Sequence, residues 1–326
     1  MLKHKLKFGE KFCVLPFIHF HAKVSKQQLV CCDSIEPIDE NKLIHIRNDL
    51  LDNKPVTACA LCYRCEEQKL ISPRQRAIKN FLSHEDKVLF AIDSHKNGNK
   101  IIPISYDLRY SNLCNLECQT CNAEASSSIA LRQGIKNDFL NSALNIDINE
   151  DATDIYLAGG EPFLIKSFGT VLRGLTNKEC EIVINTNATI LTEHLMAELD
   201  KFTNISFIIS IDGVGLLNDK IRKNSQWSDI VANIDILAKR YGGYHIFLVN
   251  TVVQKDNINQ LLELGEWIES KNINKWRLSL LELPEKHHYS HNTFIEIPDA
   301  LMKLSIIKTN IENTKALKTI KQYAEN

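Results

Sequence analysis

The sequence predicts an α/β fold, a partial (β/α)6 barrel, with a small cysteine-rich module ahead of it. Three observations predict this. From about residue 100 onward, short β-type runs alternate with helix-length amphipathic stretches, the pattern of repeated βα units. Runs such as SFIIS (206–210) are nearly continuously apolar, as strands buried on both faces are. Six strand candidates appear in all, too few to close an eight-stranded barrel.

The elements follow in order. Residues 1–75 contain strand-like CVLPFIHFHAK (13–23), then CCDS (31–34), a polar helix ending near LLDNKP (50–55), and CALCYRC (59–65). This reads as a cysteine-stapled module. Residues 76–100 form a helical link from the stretch SPRQRAIKNFLSHEDKVLFAID. The barrel is expected over 101–290. Its strands are IPISYDLRY (102–110), DIYLAGG (154–160), CEIVINTN (180–187), ISFIISID (205–212), HIFLVNTVV (245–253) and WRLSLLEL (276–283). Between them lie SIALRQGIKNDFLNSALN, FGTVLRGLTN, TEHLMAELDKF, WSDIVANIDILAKRY and NINQLLELGEWIESK, several with leucine or isoleucine at helical spacing. Residues 291–326 are expected to form a C-terminal helical segment, with the helix itself read from Asp299 onward.

Composition narrows the function classes. The chain has 326 residues with 39 basic and 40 acidic side chains, so it advertises no strong nucleic-acid footprint. A local basic groove is still compatible with that balance, and a nucleic-acid substrate is not excluded. The N-terminal apolar stretch is broken by Pro16, His19 and His21 and is read as no signal peptide. No run approaches the ~18 apolar residues of a membrane span. The expectation is a soluble, cytoplasmic protein without a membrane partner. Nine of the ten cysteines lie in the first 121 residues, which in a reducing compartment points to metal rather than disulfides. Cys180 stands apart beside an apolar run and is expected in the core.

The stretch CNLECQTC (114–121) places Cys114, Cys118 and Cys121 at spacings of four and three. Those positions share one face of a helix, but Asn112, Asn115 and Asn122 favour turns over helix interiors. A closed zinc site uses four protein ligands. Three cysteines can instead hold three irons of a cuboidal 4Fe–4S cluster and leave the fourth open to a substrate.

This C-x3-C-x2-C stretch, after the first barrel strand, resembles the motif of the radical S-adenosylmethionine (radical SAM) superfamily. The resemblance implies a partial TIM-like radical SAM barrel over roughly residues 100–290. It also implies that SAM binds the open iron through its methionine amino and carboxylate groups. Later strands extend the likeness. AGGEP (158–162) is similar to the family's GGE motif, which implies that Gly159, Gly160 and Glu161 bind the methionine ammonium. Two glycines let a main chain approach a ligand closely. NTNA (185–188) resembles the T-N-G step with Ala188 in place of glycine, and Asn187 is read either as a ribose contact or as a cap for the next helix. SIDG (210–213) and NDKIR (218–222) resemble S-x-D-G and H-D-x-x-R in the peptide-maturase branch, with Asn218 in place of histidine. Ser210, Asp212 and Arg222 are then candidates to bind SAM, a surface salt bridge being the alternative for Arg222. Where family members often have an aromatic residue before the last cysteine, this chain has Thr120.

Six further cysteines precede the barrel. Their order resembles a twitch or SPASM auxiliary-cluster module, which implies an auxiliary 4Fe–4S cluster on Cys13, Cys31, Cys59 and Cys62, with Cys32 and Cys65 as alternates. Structural zinc is the alternative occupant. Lys26 stands where the glycine before the CC pair is usual, and the module more often follows the barrel. His19 and His21 alternate along a strand and are expected to flank the module and bind nothing.

The function implied is reductive cleavage of SAM to a 5'-deoxyadenosyl radical that abstracts hydrogen from a substrate. Its partners would be a reductant such as flavodoxin or ferredoxin and an unidentified substrate, of which a peptide is one class and a nucleotide or other small molecule another. A non-catalytic cluster scaffold and a zinc-stapled nucleic-acid-binding protein, using Lys3, Lys5, Lys7, Lys11 and Lys23, are the alternatives from other classes.

Overall fold

The computed structural model describes residues 9–280 apart from 23–27, 33, 35–36, 68, 70, 110, 137–147, 243–245, 255, 272 and 274. The expected C-terminal helix and the family's glycine position at Lys26 lie outside the described residues.

A short helix α1 (Leu15–Ile18) leads into β1 (His19–Ala22), which pairs with β2 (Gln28–Leu29). Helices α2 (Glu40–Leu51), α3 (Ala60–Glu67), α4 (Pro73–Asn80) and α5 (Glu85–Lys96) follow. Asp39 caps α2 by accepting from the Lys42 amide at 2.7 Å. Ser72 and Gln75 form a reciprocal capping box on α4, which fixes where that helix begins.

The barrel region opens with β3 (Ser105–Leu108), then the two-residue β4 (Glu117–Cys118) and helix α6 (Ser127–Arg132). Next come β5 (Asp154–Leu157), α7 (Lys166–Gly174), β6 (Glu181–Thr186), α8 (Glu193–Leu199) and β7 (Asn204–Ser210). Then come α9 (Leu216–Ile221), β8 (Arg222–Lys223), α10 (Trp227–Tyr241), β9 (Ile246–Val253), α11 (Leu261–Ser270) and β10 (Lys275–Leu280). In α10, Ile230, Ile234, Leu237 and Tyr241 are the buried residues, a stripe at helical spacing.

One eight-stranded sheet runs in the order β10-β9-β7-β6-β5-β3-β1-β2, parallel throughout except for the β1–β2 pair. From β3 to β10 the order advances one strand at a time, so right-handed crossovers put the connecting helices on a single face. Among the described residues neither edge strand pairs with the other, and the barrel they form is open, in keeping with six βα units. The strand count differs from six because β1 and β2, from the cysteine-rich region, extend the sheet beyond β3.

Between helices and sheet lies the main core, which includes Trp276, Phe207, Phe168, Ile182 and Leu157. Cys180 is fully buried there, as its apolar surroundings predict. A second core joins Phe12, Phe17, Ile46, Leu50, Ala77, Val88 and Ile92. Helices α4 and α5 therefore pack into the cysteine-rich region rather than merely linking it to the barrel. The other face of the sheet is polar. In β6, Ile182, Ile184 and Thr186 are buried, whereas Glu181 is exposed and Val183 and Asn185 half-buried.

Candidate active site

The three cysteines at 114, 118 and 121 sit in the loop after β3, half-buried. Serines fold this loop. Ser128 Oγ donates to the Cys114 carbonyl at 2.7 Å, Ser126 Oγ to that of Leu116 at 2.6 Å, and the Cys114 amide donates to Ser127 Oγ at 3.0 Å. Asn112 Nδ2 donates to the Ala123 carbonyl across the loop at 3.1 Å. The Leu116 amide points at Cys114 Sγ, 3.4 Å away, a donor suited to a thiolate. Burial pushes the Cys114 thiol up to about 12 and that of Cys118 to about 11, so both are protonated near neutral pH until a metal displaces the proton.

The strand ends carrying the remaining motifs converge on this loop. Beyond β5, the Gly160 amide donates to the Ser111 carbonyl at 2.8 Å and the Glu161 amide to that of Leu113 at 2.7 Å. A Cβ on Gly160 would lie 2.2 Å from the Leu113 carbonyl oxygen, and one on Gly159 2.4 Å from that of Ser111. The close approach that the glycines permit is to the cluster loop itself. Gly159 also has φ +124°, a conformation that favours glycine.

Glu161 is fully buried and spoken for. Its Oε1 accepts from Thr186 Oγ1 at 2.7 Å and from the Phe163 amide at 3.2 Å, and its Oε2 from the Asn187 amide at 2.8 Å. Burial raises the carboxyl to about 7 against those hydrogen bonds. Asn187 Nδ2 donates to Asn115 Oδ1 at 3.1 Å, and its Oδ1 accepts from the Thr189 amide at 2.9 Å. It therefore closes the 187–189 turn and touches the cluster loop. The cap position of α8 belongs to Thr192. Ala188 adopts φ 55°, the left-handed conformation that a glycine would take without strain.

The end of β7 reaches the cysteines through a buried ion pair. Arg222 Nη2 lies 2.8 Å from Asp212 Oδ2, with side chains 8% and 0% exposed, and its Nη1 is 3.9 Å from Cys118 Sγ. The alternative of a surface salt bridge is thereby replaced by a bridge from strand end to cluster loop. It forms because β8 pairs antiparallel with β4, placing Arg222 opposite Cys118. Asp212 Oδ1 accepts from the Val252 amide at 2.8 Å, and Asn218 Oδ1 accepts from the Asp212 amide at 3.1 Å. Asn218 thus serves as a brace in the position where the related motif has histidine. Ser210 Oγ donates to Asn185 Oδ1 at 3.2 Å.

Sequence reading missed Asn257, Gln254 and Gln260. Asn257 Nδ2 donates to the carbonyls of Asp212 and Val252 at 2.8 and 2.9 Å. Gln254 Nε2 reaches Gln119 Oε1 at 3.3 Å, and Gln260 Oε1 accepts from the Val214 amide at 2.7 Å. The available signal was the polar run QKDNINQ directly after β9, at the strand ends where barrel sites assemble.

In the cysteine-rich region, Cys13, Cys31, Cys59, Cys62 and Cys65 are buried and Cys32 is exposed. A hydrogen bond between Cys13 and Cys59 raises the first thiol and lowers the second, with the nearby Arg74 also favouring a Cys59 thiolate. Cys31 adds its charge to Cys13, whereas Cys32 acts on Arg109 of the barrel. Adjacent cysteines thus serve different surroundings. Arg74 is held by Glu66, with Nε to Oε1 at 3.0 Å.

The polar face of the sheet carries a further group. His19 and His21 do point to one side of β1, but toward the barrel, opposite Ser105 and Asp107 of β3. His21 Nδ1 is 3.0 Å from Asp107 Oδ2. Arg109 clamps Asp107 through two hydrogen bonds of 2.8 and 2.9 Å. Burial lowers the His19 imidazole to about 4, leaving it neutral.

A family model described as the radical SAM superfamily matches residues 108–268. A GTP 3',8-cyclase from Synechocystis sp. is 22% identical over 65% of this chain and 64% of its own length. The sporulation killing factor maturation protein SkfB of Bacillus subtilis is 28% identical over 39% of this chain and 31% of its own length. The chain thus spans less than two thirds of these relatives. Among solved structures, Streptococcus suis SuiB bound to S-adenosylmethionine covers 85% of this chain and 65% of its own at 15% identity, with a TM-score of 0.46.

Proposed function

We propose that this chain, whose residues 108–268 are a radical SAM domain, is a radical SAM enzyme that removes hydrogen from a peptide or protein substrate. The observation that carries the reading is the bridge from Asp212 through Arg222 to Cys118, which ties a late strand end to the cysteine loop. The family uses a 4Fe–4S cluster and SAM, and the residues present fit both. Cys114, Cys118 and Cys121 supply three thiolates, and Arg222 Nε is a buried donor with no hydrogen-bond partner, suited to a carboxylate. When bound, the cluster and SAM together supply a hydrogen-abstracting 5'-deoxyadenosyl radical.

The chain's own residues have separate tasks. Arg222 offsets the negative charge of the Cys118 sulfur, and the Leu116 amide does the same for Cys114. Glu161 and Asn187 lock the ends of β5 and β6 against the loop, so SAM's methionine and ribose parts would meet a preformed cradle of Gly159, Gly160, Asn187, Ser210 and Asp212. Glu161 acts there as the brace of the cradle, the one remaining acceptor position on Oε2 being the part left for an ammonium. The Cys13–Cys59 pair with Cys31 and Cys62 fits an auxiliary 4Fe–4S cluster, since Arg74 favours a thiolate at Cys59 against the effect of burial. A reductant such as flavodoxin or ferredoxin would supply the electron.

Likeness to a named maturation protein favours a peptide. A nucleotide is the second reading, favoured by the Arg109 guanidinium on the polar face and by the named GTP cyclase. Anaerobic incubation with SAM and a strong reductant is expected to release 5'-deoxyadenosine, with greater yield when the true substrate class is added. Changing Cys114, Cys118 and Cys121 together to alanine is expected to abolish release while the N-terminal metal remains. Undiminished release from that variant would refute the proposal.

A further inference from the structure

His19, His21 and Asp107 offer one ligand atom each, and those atoms all lie within 4.8 Å of one another. Among the described residues this is the group of histidine, cysteine and acidic side chains with metal-site spacing. The barrel chemistry does not use it. Parallel pairing of β1 with β3 creates it, by setting His19 against Ser105 and His21 against Asp107 on one face.

Three details of the surroundings point to a ligand. First, His21 is 1% exposed, and its Nδ1 meets Asp107 Oδ2 at 3.0 Å in a poorly aligned contact. The two atoms are close but out of hydrogen-bond alignment, an arrangement that a shared cation between them would satisfy. Second, Ser105 Oγ donates its hydrogen to Asp154 Oδ2 at 2.6 Å and lies 2.7 Å from His19 Nδ1. With Asp154 ionised the serine hydrogen goes to that carboxylate, so toward His19 the hydroxyl accepts and Nδ1 carries the ring proton. The lone pair of His19 is then on Nε2, ready to ligate. Third, Arg109 hydrogen-bonds both Asp107 oxygens, the outer support that metal-ligating carboxylates usually have. Each oxygen keeps a second lone pair for the ion.

We infer that His19, His21 and Asp107 bind a divalent first-row transition ion on the polar face of the barrel. The donor set is two imidazoles and one carboxylate, which suits Mn, Fe or Zn with coordination positions left open. Half-buried His19 and the 36% exposed Arg109 side chain leave the site reachable from the barrel interior. An oxygen or nitrogen donor of the substrate would take an open position, so the ion would hold the substrate. This inference stands on β1, β3 and their neighbour β5 and does not depend on SAM cleavage.

Manganese(II) is the probe, because thiolates bind it poorly and the cysteine sites will not compete for it. The full chain, with its clusters reconstituted under anaerobic conditions, is titrated while the room-temperature EPR signal of free Mn(II) is followed. About one ion per chain should vanish from the free signal. His21→Gln and His19→Gln should each weaken uptake by at least about tenfold, while the triple alanine variant at Cys114, Cys118 and Cys121 takes up manganese like the parent. Asp107→Asn keeps the side-chain volume and serves as the third variant if a histidine variant melts early. No uptake by the parent chain, or equal uptake by the well-folded variants, would overturn the inference.

Discussion

At the scale of single residues, Arg222 carries the most. Its partner Asp212 is completely buried, and removing one member of a buried pair strands the other at a cost of about 3–5 kcal/mol. Arg222→Met is therefore expected to lower stability by about that amount. Adding Asp212→Asn should restore part of the loss, because the stranded charge is gone. Chemical denaturation of the four proteins of this cycle measures it. Sequence reading found both residues because Asp212 and Arg222 sit in quoted motifs, yet it did not pair them. The pairing depends on β8 lying against β4, and a two-residue ribbon has no periodicity to read. Asn257 was hidden for a related reason. Its role is to brace two carbonyls, and nothing about an asparagine in a loop distinguishes that from an ordinary turn.

At the scale of elements, the motifs were legible because strand ends alternate with helices at a readable period. Their reason was less so. The glycine pair after β5 reads as a ligand-approach device, whereas the Cβ positions face the backbone of the cysteine loop. Gly160→Ala is accordingly expected to push Leu113 aside, and the Cys114 that follows it with it. The expected outcome is a chain that keeps its far-UV CD but assembles less iron at the 114–121 loop, read by iron analysis and by lost deoxyadenosine. Gly174, at the end of α7, has nothing within 4 Å of an added Cβ. Gly174→Ala should keep full iron content and raise stability by up to about 1 kcal/mol. Equal behaviour of the two variants would show that close approach is not what the glycine pair provides.

At the scale of the whole molecule, one sheet spans both the cysteine-rich region and the barrel, which the separate reading of residues 1–75 did not foresee. FIHFH announces a strand by alternation, but parallel pairing with a strand more than eighty residues away leaves no local trace. Asp154 sits half-buried beside Ser105, and desolvation raises its carboxyl from 3.8 to about 7, the Ser105 and Thr153 hydrogen bonds offsetting only part. Between those values the folded chain keeps a proton that the unfolded chain has released. Stability from this group is thus greatest at low pH and falls as pH rises through the window, by up to about 1.4 kcal/mol per pH unit. The neutral His19 acts in the opposite sense between its value of about 4 and the ordinary 6.5, since there the unfolded chain binds the extra proton. Wild-type stability alone would mix the two. Asp154→Asn separates them, because it removes the carboxyl and keeps the histidine. The stability of the wild type relative to this variant is expected to decline steadily from about pH 4 to about pH 7 and then level. Denaturation midpoints of both proteins at four pH values measure it, and a difference that stays flat would mean that Asp154 is ionised in the fold.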